Sequence, residues 1–290
     1  MPLPNLLALF AALLFASAAL FIKRAADLGV SSLCTVFVAN LVSAVLFQVL
    51  LVFGGTFHIE LWWQPAIVAM CFIAGQWLTF FSLERGDVSV ATPVMGIKIL
   101  LVATFVTLLG GQTLDSTLWI AAALATAGIA LLNRRSPKVH HHVGMTIATA
   151  SLAATAFALF DVLVQKWSPA WGLGRFLPTT IGMAGVASFV FLPRARASLR
   201  GMRRKARPWL FAGALSVAGQ ALIFVSTIAY WGQAATANVI YSSRGLWSVL
   251  LVWLFGHWLE SREKQLGRAI LGWRLAGATL MMAAIVLVLV

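Results

Sequence analysis

The chain has 290 residues, of which 61% are hydrophobic and only 10% are Asp, Glu, Lys or Arg, with a mean hydropathy of +0.94. A soluble domain is about half apolar and about a quarter charged, so these figures exclude one. They also exclude disordered, fibrous and disulfide-built chains, which need charge, a glycine period or far more cysteines than Cys34 and Cys71.

A spanning helix needs roughly 20 apolar residues, and hydrophobic runs between charges and Gly/Pro breaks predict ten of them. In chain order they are residues 4–22, 32–53, 65–83, 88–109, 116–132, 144–164, 176–192, 208–230, 234–257 and 269–290. The first lacks a basic leader, and Ala16-Ser17-Ala18 matches a signal-peptidase site only loosely, so it is read as a retained span. The connections are too short for a soluble domain, and any chemistry must sit among the helices.

Basic residues outnumber acidic ones 21 to 8, for a net charge of +13. Loops after odd-numbered spans carry sixteen Lys and Arg, against Lys166 and Arg175 after even-numbered spans. Basic loops face the cytoplasm, so both termini are predicted outside, with the protein in a bacterial inner membrane. The longest basic run, Arg194 to Arg207, is read as a loop on anionic headgroups and not as a nucleic-acid surface. His140, His141 and His142 lie in the polar linker and are poorly spaced for a tetrahedral metal site, so no metal and no cofactor is predicted. Trp62, Trp63, Trp119, Trp167, Trp171, Trp209 and Trp258 fall near span ends, as interfacial anchors do.

The two halves of the chain are related. Ala74-Gly75-Gln76 with Leu78, Phe80 and Ser82 recurs 144 residues on as Ala218-Gly219-Gln220 with Leu222, Phe224 and Ser226. A register of 146 sets Gly86, Ala91, Lys98, Leu100 and Gly110 against Gly232, Ala237, Arg244, Leu246 and Gly256. A register of 149 sets Ala127-Gly128 against Ala276-Gly277. Five spans per copy is an odd number, so the second copy enters the membrane inverted, as in many secondary transporters. The predicted fold is all-α and integral to the membrane: ten transmembrane helices in two inverted five-helix repeats, 1–133 and 144–290, joined by a cytoplasmic linker at 134–143.

On these residues the chain resembles the drug/metabolite transporter superfamily, in its ten-span form built from two EamA-like halves. The most family-like stretches are Gly86 to Gly110 with Trp119 to Leu132, and Gly232 to Gly256 with Gly272 to Leu289. The acidic residue usual in that family after the fourth span is replaced by Gly110-Gly111-Gln112, while Glu260 follows the ninth. The resemblance implies export of amino acids or other metabolites, and branches with basic residues in these two helices handle phosphorylated solutes.

Lys98 and Arg244 are the most informative positions. Lys98 lies ten residues into its span, roughly 15 Å from either end at 1.5 Å per residue, too deep for its side chain to reach water. A cation there costs about 2.5 to 3.5 kcal/mol even on a lenient scale. Asp161 is read as near the end of span six, pairing at the surface with Lys166 or Arg175, and the other seven carboxylates as loop residues, so neither cation is given an internal partner. A watery chamber with an anionic ligand, or backbone carbonyls, must then compensate them.

Around this pair, Tyr241, Ser248, Asn238 and Ser242 form a polar stripe on span nine. Pro93 and Gly96 loosen span four before Lys98. Gln76 and Gln220 either bind solute or hold helices together, Trp77 and Trp247 either wall the cavity or pack, and Arg274 snorkels to the cytoplasmic interface. Lys98 and Asp161 are the candidate coupling residues. The acidic pairs Glu84/Asp87 and Glu260/Glu263 adjoin Arg85 and Arg262 and read as local salt bridges, and no nucleophile, phosphate loop or metal motif argues for an enzyme.

The sequence thus predicts a secondary transporter that holds a small anionic or carboxylate-bearing solute at the midplane and contacts membrane lipids. A homodimer is left open. The alternatives are efflux of lipophilic or cationic compounds, disfavoured by the lack of a midplane carboxylate, and a non-transporting lipid-binding or assembly protein.

Overall fold

The computed structural model describes residues 2–85, 88–132, 143–255 and 268–289, and these form helices joined by short turns, with no strand among them. In order come α1 (Leu3–Asp27), α2 (Ser32–Leu46) with a 3-10 extension at Phe47–Phe53, α3 (Trp63–Arg85), α4 (Val88–Met95), α5 (Lys98–Gly110) and α6 (Ser116–Leu132). Then follow α7 (Val143–Trp171), α8 (Leu173–Ala187) with a 3-10 turn at Ser188–Phe191, α9 (Leu192–Arg200), α10 (Arg207–Trp231), α11 (Ala234–Tyr241), α12 (Arg244–Phe255) and α13 (Arg268–Leu289). The linker residues 134–142 with His140, His141 and His142, together with Gly86, Asp87, Trp258, Glu260, Arg262 and Glu263, lie outside the described residues, as do the side chains of Glu84, Arg85 and Arg274.

Seven segments are long and apolar enough to cross a membrane: Leu3–Asp27, Ser32–Phe53, Ile59–Ser82, Val90–Gly110, Val143–Trp171, Leu173–Arg200 and Arg204–Trp231. Ser116–Leu132 and Leu275–Leu289 are shorter apolar helices. The chain is therefore an all-helical integral membrane protein.

Helix ends follow local chemistry. Ser31 caps α2, its hydroxyl accepting from Cys34 N–H at 3.3 Å. Asp115 precedes α6 and accepts from Thr117 N–H at 3.3 Å; the Thr117 hydroxyl and backbone hold its carboxyl below the ordinary range. Gly232 ends α10 at φ 65°, a left-handed cap open to glycine.

Packing relies on small residues, which let helices approach closely where lipid offers no hydrophobic drive. Ala8, Ala11, Ala12 and Ala16 on α1 are fully buried, and α1 lies along α10 as α3 lies along α7. Likewise α2 meets α10 and α3 meets α8. Helices α6 and α13 pack at Gly128 and Gly277, where a Cβ on Gly277 would stand 2.7 Å from the Gly128 carbonyl oxygen. These are the residues matched at a register of 149.

Three predicted features need correction. The run Arg194 to Arg207 is not a plain loop: α9 turns Ala195 into the core and leaves Arg194 and Arg196 exposed. Trp171 is not an interfacial anchor but fully buried, its indole N–H donating to Gln64 Oε1 at 3.0 Å. Trp62, Trp63 and Trp209 are exposed at 55%, 42% and 36%, as anchors should be. The ninth apolar run is broken into α11 and α12 at Ser242–Ser243, although no proline stands there.

Candidate functional site

The site is built on two interrupted helices. Pro93 lacks an N–H and its ring crowds the preceding turn, and α4 stops at Met95, with α5 starting at Lys98. Gly96 and Ile97 close the gap in tight turns, Gly96 N–H to Pro93 O at 3.0 Å and Ile97 N–H to Val94 O at 3.1 Å. The Gly96 carbonyl accepts Ile99 N–H at 3.4 Å, and the hydroxyl of Thr126 on α6, which donates to Ala122 O at 2.8 Å, also lies within 3.4 Å of it. The second interruption lies 146 residues on: α11 spans Ala234–Tyr241 and α12 begins at Arg244. Each cation is thus the first residue of a half-helix.

The expectation that Lys98 has no acidic partner is wrong. Its Nζ lies 2.7 Å from Asp161 Oδ2, with the side chains 20% and 2% exposed. Asp161 is not near a helix end, because α7 continues past the apolar run through Lys166 and Pro169 to Trp171, leaving Asp161 ten residues inside. Asp161, Gln165 and Ser168 are all buried, and their spacing of four and then three puts them on one face. The buried carboxylate also accepts from Asn238 Nδ2 at 2.8 Å. One turn on, Gln165 Oε1 takes the Ala234 N–H at 2.7 Å at the start of α11, and its Nε2 donates to Gln112 at 3.0 Å. Gln112 belongs to the triplet where the family usually carries an acid.

Arg244 differs. Its guanidinium lies over the rings of Phe15 at 4.8 Å and Tyr241 at 4.9 Å, and the described residues offer it no carboxylate within 4 Å. Tyr241 stacks on Phe224 with centroids 4.3 Å apart and donates its hydroxyl to Gln220 Oε1 at 2.8 Å. Lys98 Nζ is 5.9 Å from the Phe224 centroid. An aromatic pair therefore links the two cations.

The remaining candidates separate. Ser242 and Ser248 spend their hydroxyls on carbonyls of their own helical turns, Val239 at 2.6 Å and Arg244 at 2.8 Å. Trp77 is 51% exposed, beside Phe81. Trp247 is half-buried, and its Nε1 has no partner among the described residues. Gln76 forms a reciprocal amide pair with Asn40 of α2, at 2.8 and 2.9 Å, and so joins helices. Replacing Asn40 by Leu leaves the Gln76 amide unmatched and should lower stability by about 1 kcal/mol, with Gln76→Leu in the same chain restoring most of it; equilibrium unfolding in mixed micelles measures both.

Sequence reasoning missed Phe15, Phe224, Gln165 and the depth of Asp161. The phenylalanines carry no polar signal, whereas Asp161 and Gln165 do, at a spacing of four. A cavity of about 520 Å³ lies elsewhere, among Leu7, Phe53, Leu173, Leu222, Tyr230 and Trp231, and is lined by neither Lys98, Asp161 nor Arg244.

Charged and amide side chains are thus gathered where apolar helices are interrupted. Residues 3–134, just under half of the chain, match the EamA-like transporter family. None of the curated proteins matches the chain. Among solved structures, one crystal structure aligns with a TM-score of 0.73 over 98% of this chain and 95% of its own, at 14% identity, which shows a shared fold.

Proposed function

We propose that the chain is a ten-span carrier of two inverted halves that moves a small carboxylate-bearing solute by alternating access, with Arg244 as the anion-binding group. The inverted arrangement is supported by the two helix breaks 146 residues apart and by the exchanged packing, in which α1 on α10 mirrors α3 on α7. Gly128 meeting its own counterpart Gly277 is what a two-fold relation between halves produces.

The observation that carries the function is the guanidinium of Arg244 resting on two aromatic faces, with no carboxylate within reach among the described residues. Two cations against one carboxylate leave the centre positive by one. Lys98 and Asp161 then serve in coupling and not in a two-cation clamp. With the basic loops in the cytoplasm, both termini face outside.

Proteoliposomes loaded with a panel of ¹⁴C-monocarboxylates test this. Arg244→Ala should reduce counterflow by roughly 30-fold, the scale of one charge-assisted contact, and Arg244→Lys should not rescue it, because an ammonium cannot reproduce the planar stacked fork. Flux unchanged in Arg244→Ala overturns the reading. Flux that ignores a pH gradient but needs solute on the trans side removes proton coupling through Lys98 and Asp161.

A second reading, efflux of lipophilic cations, is favoured by two observations: the buried Asp161 carboxylate, which the sequence placed too near the surface, and the apolar 520 Å³ cavity. Stabilisation by cationic dyes that persists in Arg244→Ala would select it.

A further inference from the structure

Two buried donors stand within one turn at the start of α12 without an acceptor among the described residues. Ser243 is 2% exposed and its hydroxyl has no partner among the described residues, and the same holds for the indole N–H of Trp247. Arg244 lies between them in sequence. Trp247 N–H bonds to the Ser243 carbonyl at 3.0 Å, so positions 243 and 247 stack one turn apart, and 244 and 247 share a face. Buried polar groups in native proteins are nearly always paired, and an orphan needs an explanation. Here two orphans flank an arginine that has no carboxylate within 4 Å among the described residues, in the first turn of a half-helix, where the helix dipole favours negative charge.

We propose that Ser243, Arg244 and Trp247 form the recognition face for a singly charged oxyanion, a carboxylate or sulfonate, whose oxygens supply the missing acceptors. This rests on the transporter reading and narrows its solute. An indole and a guanidinium can only donate, and the Ser243 hydroxyl lacks an acceptor, so a group that must donate a proton of its own is disfavoured. Lys98 is already neutralised by Asp161, so one positive charge is free, which suits a monoanion and leaves a phosphate dianion half compensated. Phosphorylated solutes, natural to a two-cation clamp, are therefore poor ligands.

The test uses purified full-length protein with propionate, benzoate, methanesulfonate, inorganic phosphate at pH 8 and choline as probes, read by thermal shift and calorimetry. The monoanions should bind, phosphate at least tenfold more weakly, and choline not at all. Ser243→Ala and Trp247→Phe, which keeps the ring, should each weaken the best monoanion roughly tenfold. Because each removes a donor that is unsatisfied in the empty protein, the ligand-free melting temperature should hold or rise, where loss of a structural contact would lower it. Unchanged affinity in both variants, or phosphate binding as well as the monoanions, overturns the proposal. If both variants bind normally while Arg244→Ala abolishes binding and flux, only this inference fails; if no monoanion binds the unmodified protein, the anionic reading fails with it.

Discussion

Replacing Lys98 by Met while Asp161 stays in place should cost about 3 to 5 kcal/mol of stability, the range for removing one partner of a buried ion pair. The Asp161 side chain is 2% exposed and would keep only the Asn238 amide at 2.8 Å. The converse change, Asp161→Leu, should cost less, because the Lys98 side chain is 20% exposed and its ammonium has some access to a polar surrounding. The double variant Lys98→Met/Asp161→Leu should be far more stable than the sum of the single changes implies, since a buried pair replaced by apolar groups of similar size is often neutral. Unfolding of all three by SDS titration closes a double-mutant cycle. A coupling energy near zero would mean that the 2.7 Å contact does not organise the bundle.

Substitution of Gly277 by Val is the second large effect. A Cβ at this position would lie 2.7 Å from both the Gly128 oxygen and the Leu132 nitrogen, and at Gly128 it would lie 2.5 Å from Met281 Cγ and 2.9 Å from the Gly277 oxygen. Backbone atoms cannot step aside as a flexible side chain can, so α6 and α13 must separate. Overpacking of this kind costs about 1 to 3 kcal/mol, and in lipid the close approach is itself the source of helix affinity. Gly219→Ala is the control, since nothing stands within 4 Å of its Cβ. A Gly277→Val protein that unfolds at the same SDS fraction as Gly219→Ala would show that this seam carries no stability.

Much of the architecture was legible because apolar length and glycine or proline punctuation are local. Pro93 and Gly96 announced the first helix break before Lys98. The second break has no proline, and its only signal is the register that sets Ser242 and Ser243 against Gly96 and Ile97. Asp161 was misplaced because the end of an apolar run is not the end of a helix: Lys166 stops the run, but α7 goes on to Trp171. Its last turns are polar on one side because that side faces α11, and tertiary contact rather than propensity decides such a surface. Trp171 and Trp77 exchanged their expected roles for the same reason. Proximity to a run's end does not say which way a ring points.

Both half-helices of the interrupted crossings open with a base, Lys98 and Arg244, at the end where backbone N–H groups already create positive potential. That placement is locally unfavourable for the two side chains; Asp161 offsets it at Lys98, while at Arg244 the described residues supply no carboxylate, so the positive potential there stands ready to meet an anion and to oppose a second cation.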